Sequence, residues 1–561
     1  MRWIALLLVA SLAGCVNNAD PTPTPSVDDE PERLPAQGID WTLLSQDEHT
    51  ATAPQQHYVA SHDGILLHVV VHLPSGEGPW PTILQNSPYY SHPNNGVTTI
   101  GLVGQYVPKG YAVVSADVRG TGNSEGCMNM MGDLERKDTY ELVEWIAAQG
   151  WSDGHVGMQG VSYVGTTPHE ALIEAPPHLD TVVTVAGVVN QWRNVYQGGV
   201  PYLARFYPIT YEATEGAPPP TDFNRGAPWL LNTLDAACGQ EEALQAMAPG
   251  TYEKGVYSAY WDERNFTKHV DGAQASLLYS QGFVDRAVNP IEAVGWFNEL
   301  PVPKKAFLHQ GGHQYPPRED YFDTELAWFD YWLKGINNGI MDTPTVEVQL
   351  NDGRIRTDTT WPPEDATSRT WHLAPGRLDN DVPDSGFEGY VAGPPGAVLE
   401  NPFGAPLTPL GLTYTSAPLA NSFLLTGSAQ LHLQGGVATL TPADNVYWLF
   451  DLYDVGPGGS TWIAEGWFNG HLRDGFDRIA PMVGDIAYDY TVTFEPRDYV
   501  FAQGHQIQLV ARGYDDGVFP WDEPVAVPFI EYGEGASHLE LPTVAEPRIY
   551  DAPTEVTDGI P

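Results

Sequence analysis

The chain has 561 residues, 42% of them hydrophobic, and its 71 Asp and Glu against 26 Lys and Arg give a formal net charge of −45. So long a chain exceeds one ordinary domain and predicts two or three, and so acidic a surface repels phosphate backbones and excludes nucleic acid as a partner. Gly (57) and Pro (49) make about a fifth of the residues, which favours a loop-rich fold over a helical bundle. Only 17% of residues are charged, so the imbalance reflects scarce Lys and Arg. A saline habitat and the ordinary solubility of an exported protein both account for it.

The first residues read as an export signal. Arg2 supplies a positive start, and Trp3 to Leu12 an apolar core too short to span a bilayer as a stable helix. Leu12-Ala13-Gly14-Cys15 resembles the box cut by lipoprotein signal peptidase. Residues 1–15 are therefore expected to be a signal peptide, and Cys15 the lipidated first residue of a membrane-anchored, extracytoplasmic protein. A plain secretory signal with a chance cysteine is the alternative. No later segment reads as transmembrane. Residues 16–55, with Pro21-Thr22-Pro23-Thr24-Pro25 followed by Asp28, Asp29, Glu30 and Glu32, predict a disordered tether.

Residues 56–343 alternate between strand and helix patterns. His57–Ala60 and Leu66–Leu73 predict opening strands, Thr82–Gln85 a short one, and Tyr111–Ala116 an apolar strand ending at Asp117. Asp133–Gln149 has helical periodicity, with Leu142, Val143, Trp145 and Ile146 as its apolar stripe. Val156–Gln159 predicts a strand leading into Gly160-Val161-Ser162-Tyr163-Val164-Gly165, Thr166–Ala175 a helix after it, and Val182–Ala186 the next strand. From about 190 to 268 the alternation stops, and aromatics, Pro and Gly predict an inserted cap. It resumes with strand Ala275–Ser280, helix Pro290–Leu300, strand Lys305–His309 and helix Asp323–Lys334. This order predicts an α/β domain with a mainly parallel, doubly wound sheet covered on both faces. Over residues 344–561 helical patterns vanish. Short alternating runs such as Val346–Leu350, Ala429–Leu433, Tyr447–Leu452 and Gln506–Ala511 predict an all-β sandwich or jelly roll.

The G-x-S-x-x-G stretch has the layout of a nucleophile elbow, a strand turning sharply into a helix with serine at the tip. Gly160 lacks the Cβ that would clash in so tight a turn, Gly165 lets the helix pack close, and the helix N-terminus stabilises negative charge beside the hydroxyl. A serine hydroxyl needs a base oriented by a carboxylate. The chain order Ser, Asp, His, each on a loop after a strand, points to Asp285 after Ala275–Ser280 and His313 after Lys305–His309. His309, inside its β run, is the rival base; Asp262 and Asp271, both before the strand, are rival acids. The N–H of Tyr163 is placed to stabilise an oxyanion. The loop Asn86-Ser87-Pro88-Tyr89-Tyr90 offers a tyrosine hydroxyl as second donor, or an aromatic pocket wall. Trp192, Tyr196, Tyr202, Phe206 and Tyr207 either line an acyl pocket or form the cap's own core. Cys127 and Cys238 are a disulfide candidate in an oxidising compartment, with two separate buried thiols as the alternative.

Asp117-Val-Arg119-Gly120-Thr-Gly122-Asn-Ser124-Glu-Gly126 resembles the D-x-R-G-x-G-x-S-x-G signature of the X-Pro dipeptidyl-peptidase and cocaine-esterase-like (CocE/NonD) hydrolases. Glu144-Trp145-Ile146, the run Trp151 to Met158 with the elbow behind it, and Trp328 to Gly335 resemble the same family. The resemblance covers residues 57 to about 545. It implies an α/β-hydrolase fold with a helical cap and a C-terminal galactose-binding-like jelly roll. It also implies attack by Ser162, with His313 as base, Asp285 orienting it, and Tyr89 and the Tyr163 N–H around the oxyanion. A cysteine at the Cys127 position and one in the cap occur in some members, which supports a bridge to Cys238. Three departures limit the transfer. The tyrosine loop reads Asn-Ser-Pro-Tyr-Tyr, so Tyr90 competes with Tyr89. Arg286-Ala287 follow Asp285 where members acting on α-amino acid esters carry carboxylates. Thr166-Thr167-Pro168 replaces the usual Thr-Gln or Ser-Gln, and Pro168 is expected in the first helical turn.

No cofactor and no metal are expected. His169-Glu170 begins an H-E-x-x-H pattern whose fifth residue is Ile173, and His309 and His313 are not on a helix. The expected substrate is a small peptide or ester, with release of N-terminal dipeptides placed ahead of ester hydrolysis. A catalytically inactive, glycan-binding surface protein is the alternative of another class. Contact with the membrane is expected through the lipid anchor only, and the oligomeric state is open.

Overall fold

The computed structural model describes residues 38–89, 96–202, 255–393, 399–400, 406–407, 411–439, 443–518, 525–544 and 549–550. Through the first half run β1 (Gln55–Ala60), β2 (Leu66–His72), β3 (Trp80–Ser87), β4 (Ala112–Asp117), β5 (Ser152–Val161), β6 (Leu179–Val185), the small hairpin β7 (Tyr196–Gln197) and β8 (Val200–Pro201), β9 (Ser276–Gly282), β10 (Lys304–His309), β11 (Val346–Gln349) and β12 (Ile355–Asp358). Between them lie α1 (Gly96–Tyr106), α2 (Asp133–Ala147), α3 (Tyr163–Glu174), α4 (Gln191–Val195), α5 (Ala259–Glu263), α6 (Pro290–Glu299) and α7 (Tyr321–Lys334).

The first sheet has the order β1-β2-β4-β3-β5-β6-β9-β10-β11-β12. From β4 through β11 every neighbouring pair is parallel, and the outer pairs are antiparallel. Period-two side-chain alternation divides the central strands between two cores. Leu84 and Val114 join Leu142 and Ile146 of α2, Leu172 of α3 and Trp296 of α6 on one face. Ile83 and Val113 join Tyr106 of α1 and Trp328 and Phe329 of α7 on the other. Burial on both faces explains why β4 is buried along its whole length and reads as an apolar run.

The remaining strands are β13 (Thr367–Ala374), β14 (Arg377–Asp379), β15 (Gly386–Gly389), the pair β16 (Leu399–Glu400) and β17 (Pro406–Leu407), β18 (Leu412–Ser416), β19 (Phe423–Val437), β20 (Tyr447–Gly456), β21 (Gly459–Asn469), β22 (Tyr488–Phe501), β23 (Gln506–Arg512), β24 (Pro528–Tyr532), β25 (His538–Thr543) and β26 (Ile549–Tyr550). In the second sheet β19-β22-β21-β20-β23-β18-β14-β13-β25 follow in order, and β25 also pairs with β19, so the strands close on themselves. Leu431, Leu433, Trp448, Phe450, Phe494 and Leu539 belong to its core.

Three expectations change. The tether expected over 16–55 is too long, because residues 38–54 pack on the first domain. Ile39 is buried, Asp40 N–H donates to the Asn338 carbonyl at 2.8 Å, and Ser45 donates to buried Asp330 through N–H (2.7 Å) and Oγ (2.6 Å). A few well-placed bonds decide this, and composition averaged over forty residues hides them. The all-β body expected from 344 begins at β13, since β11 and β12 extend the first sheet and β26 returns to pair with β12. Pro168 lies in the second turn of α3, which starts at Tyr163. The Val164 carbonyl, which a proline four residues on cannot serve, accepts from Thr167 Oγ1 at 3.2 Å.

Candidate active site

Ser162 joins β5 to α3 with φ 64° and ψ −132°, a conformation non-glycine residues rarely adopt. Ser162 N–H donates to the Val185 carbonyl at 3.0 Å, and its own carbonyl accepts from Gly165 and Thr166 N–H, both at 2.9 Å. A Cβ on Gly160 would run into the Val164 carbonyl, and one on Gly165 would stand 2.7 Å from the Val185 oxygen. Both glycines are therefore required by close backbone approach. Ser162 is half-buried at the tip.

The parallel register carries the chain to the same edge three more times. Val161 of β5 lies opposite Val185 of β6, Val185 opposite Ser280 of β9, and Gly282 of β9 opposite His309 of β10. Ser162, Asp285 and His313 thus all stand just past the C-terminal ends of their strands, where open α/β sheets place their sites. Asp285 is 1% exposed. Its Oδ1 accepts from Ala287 N–H (2.8 Å) and Val288 N–H (2.9 Å), and its Oδ2 lies 2.9 Å from His313 Nδ1 and accepts from Gln281 Nε2 at 3.2 Å. An acceptor so fully engaged suits the ionised carboxylate and leaves His313 Nδ1 as donor. The side chain of His313 is 29% exposed. The rival His309 is fully buried, accepts Gly311 N–H on Nδ1 at 3.1 Å, and is pushed down to about 4 by burial. Asp262 pairs with Lys268 on the surface, and Asp271 lies in a short 3-10 turn before β9.

Gln281 and Arg497 support this site and carry no motif. Arg497, on β22 of the all-β domain, is 1% exposed and donates to the Phe283 and Ile463 carbonyls while pairing with Glu495 at 3.0 Å. The loop bearing Asp285 is therefore braced from the second domain, a link only the assembled fold displays.

Tyr163 opens α3, and its hydroxyl donates to buried Glu135 at 2.5 Å. Tyr89 is 39% exposed two residues beyond β3, the strand beside β5, and its N–H donates to Ser87 Oγ at 3.1 Å. Tyr90, Cys15, Cys238, Phe206 and Tyr207 lie outside the described residues. Glu135 and Glu170, both fully buried behind the elbow, each leave one carboxylate oxygen without a partner. Burial pushes both carboxyls up, and the neighbouring Glu135 charge adds to the rise at Glu170, which lies well above its ordinary 4.5. Above that value the folded chain holds a proton the unfolded chain has released, so this pair's contribution to stability is fullest below 4.5 and is lost as pH rises through the folded value. Glu170→Gln removes the ionisation. Urea midpoints at about pH 5 and about pH 8 are expected to fall less for the variant than for the natural chain; equal falls contradict the assignment.

The signature loop proves architectural. Asp117 Oδ2 lies 3.0 Å from His68 Nδ1 and accepts Asn123 N–H at 2.7 Å, Ser124 Oγ donates to the Asp117 carbonyl at 2.6 Å, and Arg119 makes a two-point bond to buried Asp138 at 2.6 and 2.7 Å. At Gly122, φ is 54°, and a Cβ would strike the Asp117 carboxylate. His169 packs on Trp296 at 4.5 Å and bonds Thr184 Oγ1 at 2.9 Å, as a buried structural histidine. Trp192 and Tyr196 form a small core with Met130 and Trp261, and Tyr202 stacks on Trp467 of β21 at 4.8 Å.

Comparison with known proteins places this arrangement. The family model described as X-Pro dipeptidyl-peptidase (S15 family) matches residues 63–315, and that of the X-Pro dipeptidyl-peptidase C-terminal non-catalytic domain matches residues 338–525. A Bacillus anthracis protein provisionally named Xaa-Pro dipeptidyl-peptidase is 28% identical over 461 residues, covering 76% of this chain and 73% of its own. A Mycobacterium bovis protein provisionally named serine esterase is 25% identical over 606 residues, covering 87% and 95%. A CocE/NonD family hydrolase from Staphylococcus aureus shares the fold with a TM-score of 0.71 at 18% identity, covering 90% of this chain and all of that one. With an α/β-hydrolase sheet, a closed all-β domain behind it and both family models matched in order, the chain belongs to the X-Pro dipeptidyl-peptidase and CocE/NonD family and is a serine hydrolase, a peptidase or an esterase.

Proposed function

We propose that this chain is an exported, lipid-anchored serine hydrolase that works through an acyl-enzyme and releases N-terminal dipeptides, X-Pro foremost. The observation that carries the reading is the 2.9 Å Asp285–His313 contact on the sheet edge that also bears the strained Ser162. His313 Nε2 takes the Ser162 Oγ proton as that oxygen attacks the scissile carbonyl, and Asp285 keeps Nδ1 protonated and steadies the imidazolium. The Tyr163 N–H at the start of α3 and the Tyr89 hydroxyl hold the oxyanion, with Tyr90 as the competing tyrosine. His313 then returns the proton to the leaving group, and water reverses the sequence to free the acid. A disulfide between Cys127 and Cys238, in an oxidising compartment, is part of the same reading. Anchoring through Cys15 belongs to the same reading.

One observation favours a second reading, an acyl-ester hydrolase. Arg286, beside Asp285, stacks over Trp462 at 4.7 Å and pairs with buried Glu465 at 3.2 Å. An arginine there, its charge met by Glu465, supplies no carboxylate to hold a free N-terminal amine. The test is to compare an X-Pro anilide with a short acyl ester on the soluble chain lacking residues 1–15. Anilide turnover is expected. Ester turnover alone moves the assignment to the esterase, and the absence of a fluorophosphonate adduct on folded protein moves it to the inactive glycan-binding alternative.

A further inference from the structure

Three strands of the all-β domain carry a row of histidines on their outer face. In register, His372 of β13 lies opposite His538 of β25, and His538 lies opposite His432 of β19. Glu540 is two residues along β25 and so shares that face, while Leu431, Leu539 and Leu541 point into the core. The His432 and His538 rings stack at 4.7 Å with planes 21° apart. His432 Nε2 lies 3.8 Å from Glu540 Oε2, and His538 Nε2 lies 3.9 Å from Glu540 Oε1. These separations are too long for hydrogen bonds.

We propose that His432, His538 and Glu540 form a binding site for a divalent transition-metal ion of the zinc class. Zinc holds nitrogen and oxygen ligands at about 2.0–2.2 Å, so donors around a tetrahedral ion stand roughly 3.3–3.6 Å apart. One donor atom from each of the three residues lies within 4.8 Å of the others, and side-chain rotations close the difference. The tautomer is also set. His538 Nδ1 lies 2.9 Å from the Ala536 carbonyl, an acceptor only, so Nδ1 carries the proton and Nε2 offers its lone pair. Two imidazoles and one carboxylate suit zinc, nickel or copper and leave magnesium, which takes oxygen ligands, at a disadvantage. Three protein ligands leave a position open for water or a further ligand.

The placement supplies a role. β25 closes the all-β domain by pairing with β19 over Gln430↔Glu540, Leu431↔Leu539 and His432↔His538, against six residue pairs with β13. An ion held by His432 on one side and His538 and Glu540 on the other bridges that short seam. His432 and His538 also line a cavity of about 740 Å³ shared with Arg193 and Glu292 of the first domain. The open position of the ion therefore sits at the rim of an inter-domain cavity that contains none of Ser162, Asp285 and His313.

The test uses the full soluble chain without an affinity tag, stripped with a chelator and titrated with zinc sulfate by calorimetry and thermal melting. One equivalent of zinc and a raised melting temperature are expected in the natural chain, with magnesium unable to compete at a hundredfold excess. His432→Ala, His538→Ala and Glu540→Gln are each expected to weaken zinc at least tenfold. All three positions face outward, so metal-free melting and fluorophosphonate labelling of Ser162 are expected to be unchanged. The proposal is overturned if the natural chain takes up no stoichiometric zinc, if the variants bind it equally, or if magnesium displaces it.

Discussion

Ser162→Ala is expected to abolish fluorophosphonate labelling and to lower turnover by about six orders of magnitude while leaving the melting temperature within a degree or two. The size of the loss follows from the chemistry. Without Oγ no acyl-enzyme forms, and what remains is catalysis by the oxyanion donors and by binding alone. The small effect on folding follows from the elbow. The bonds that hold it run from Ser162 N–H to the Val185 carbonyl and from Gly165 and Thr166 N–H to the Ser162 carbonyl, and alanine keeps all of them. Alanine also bears the same φ of 64° no worse than serine does. Turnover surviving at a hundredth of the natural rate would reassign the nucleophile.

His313→Ala is expected to cost as much as the loss of the serine, because the pair acts as a unit. His309→Ala should act otherwise. His309 is fully buried, accepts the Gly311 N–H, and burial holds it neutral down to about 4. Its removal empties a fully buried site and frees the half-buried Gly311 N–H, a cost of about 1–3 kcal/mol in stability, and leaves the Asp285–His313 contact in place. Initial rates and urea midpoints of the two variants separate the roles. An active His313→Ala beside an inactive but folded His309→Ala would exchange them.

The elbow was legible because its cause is local. Gly160, Ser162 and Gly165 sit within one turn, and the clash each glycine avoids is with atoms a few residues away or on the next strand. The approach of Asp285 to His313 is legible from chain order, since a parallel sheet returns every strand to the same edge. The turn that holds Pro168 is not legible, because the start of α3 depends on where the strained serine ends the strand, which periodicity does not reveal. The point where the chain begins to pack is hidden in composition, because Ser45 finds its partner, Asp330, 285 positions away.

By itself the sequence determined what short-range physics controls: the turn at Ser162, the alternation that makes a two-faced parallel sheet, and the all-β texture after it. Only the tertiary structure decided which distant polar groups meet. Gln281 and Arg497 brace the acid loop, β11, β12 and β26 extend the first sheet, and His432, His538 and Glu540 converge where β25 closes the second. The reason is physical. A hydrogen bond or a metal–ligand set is fixed by strand register across the sheet, and strands distant in sequence carry no periodic signal of the partner they will meet.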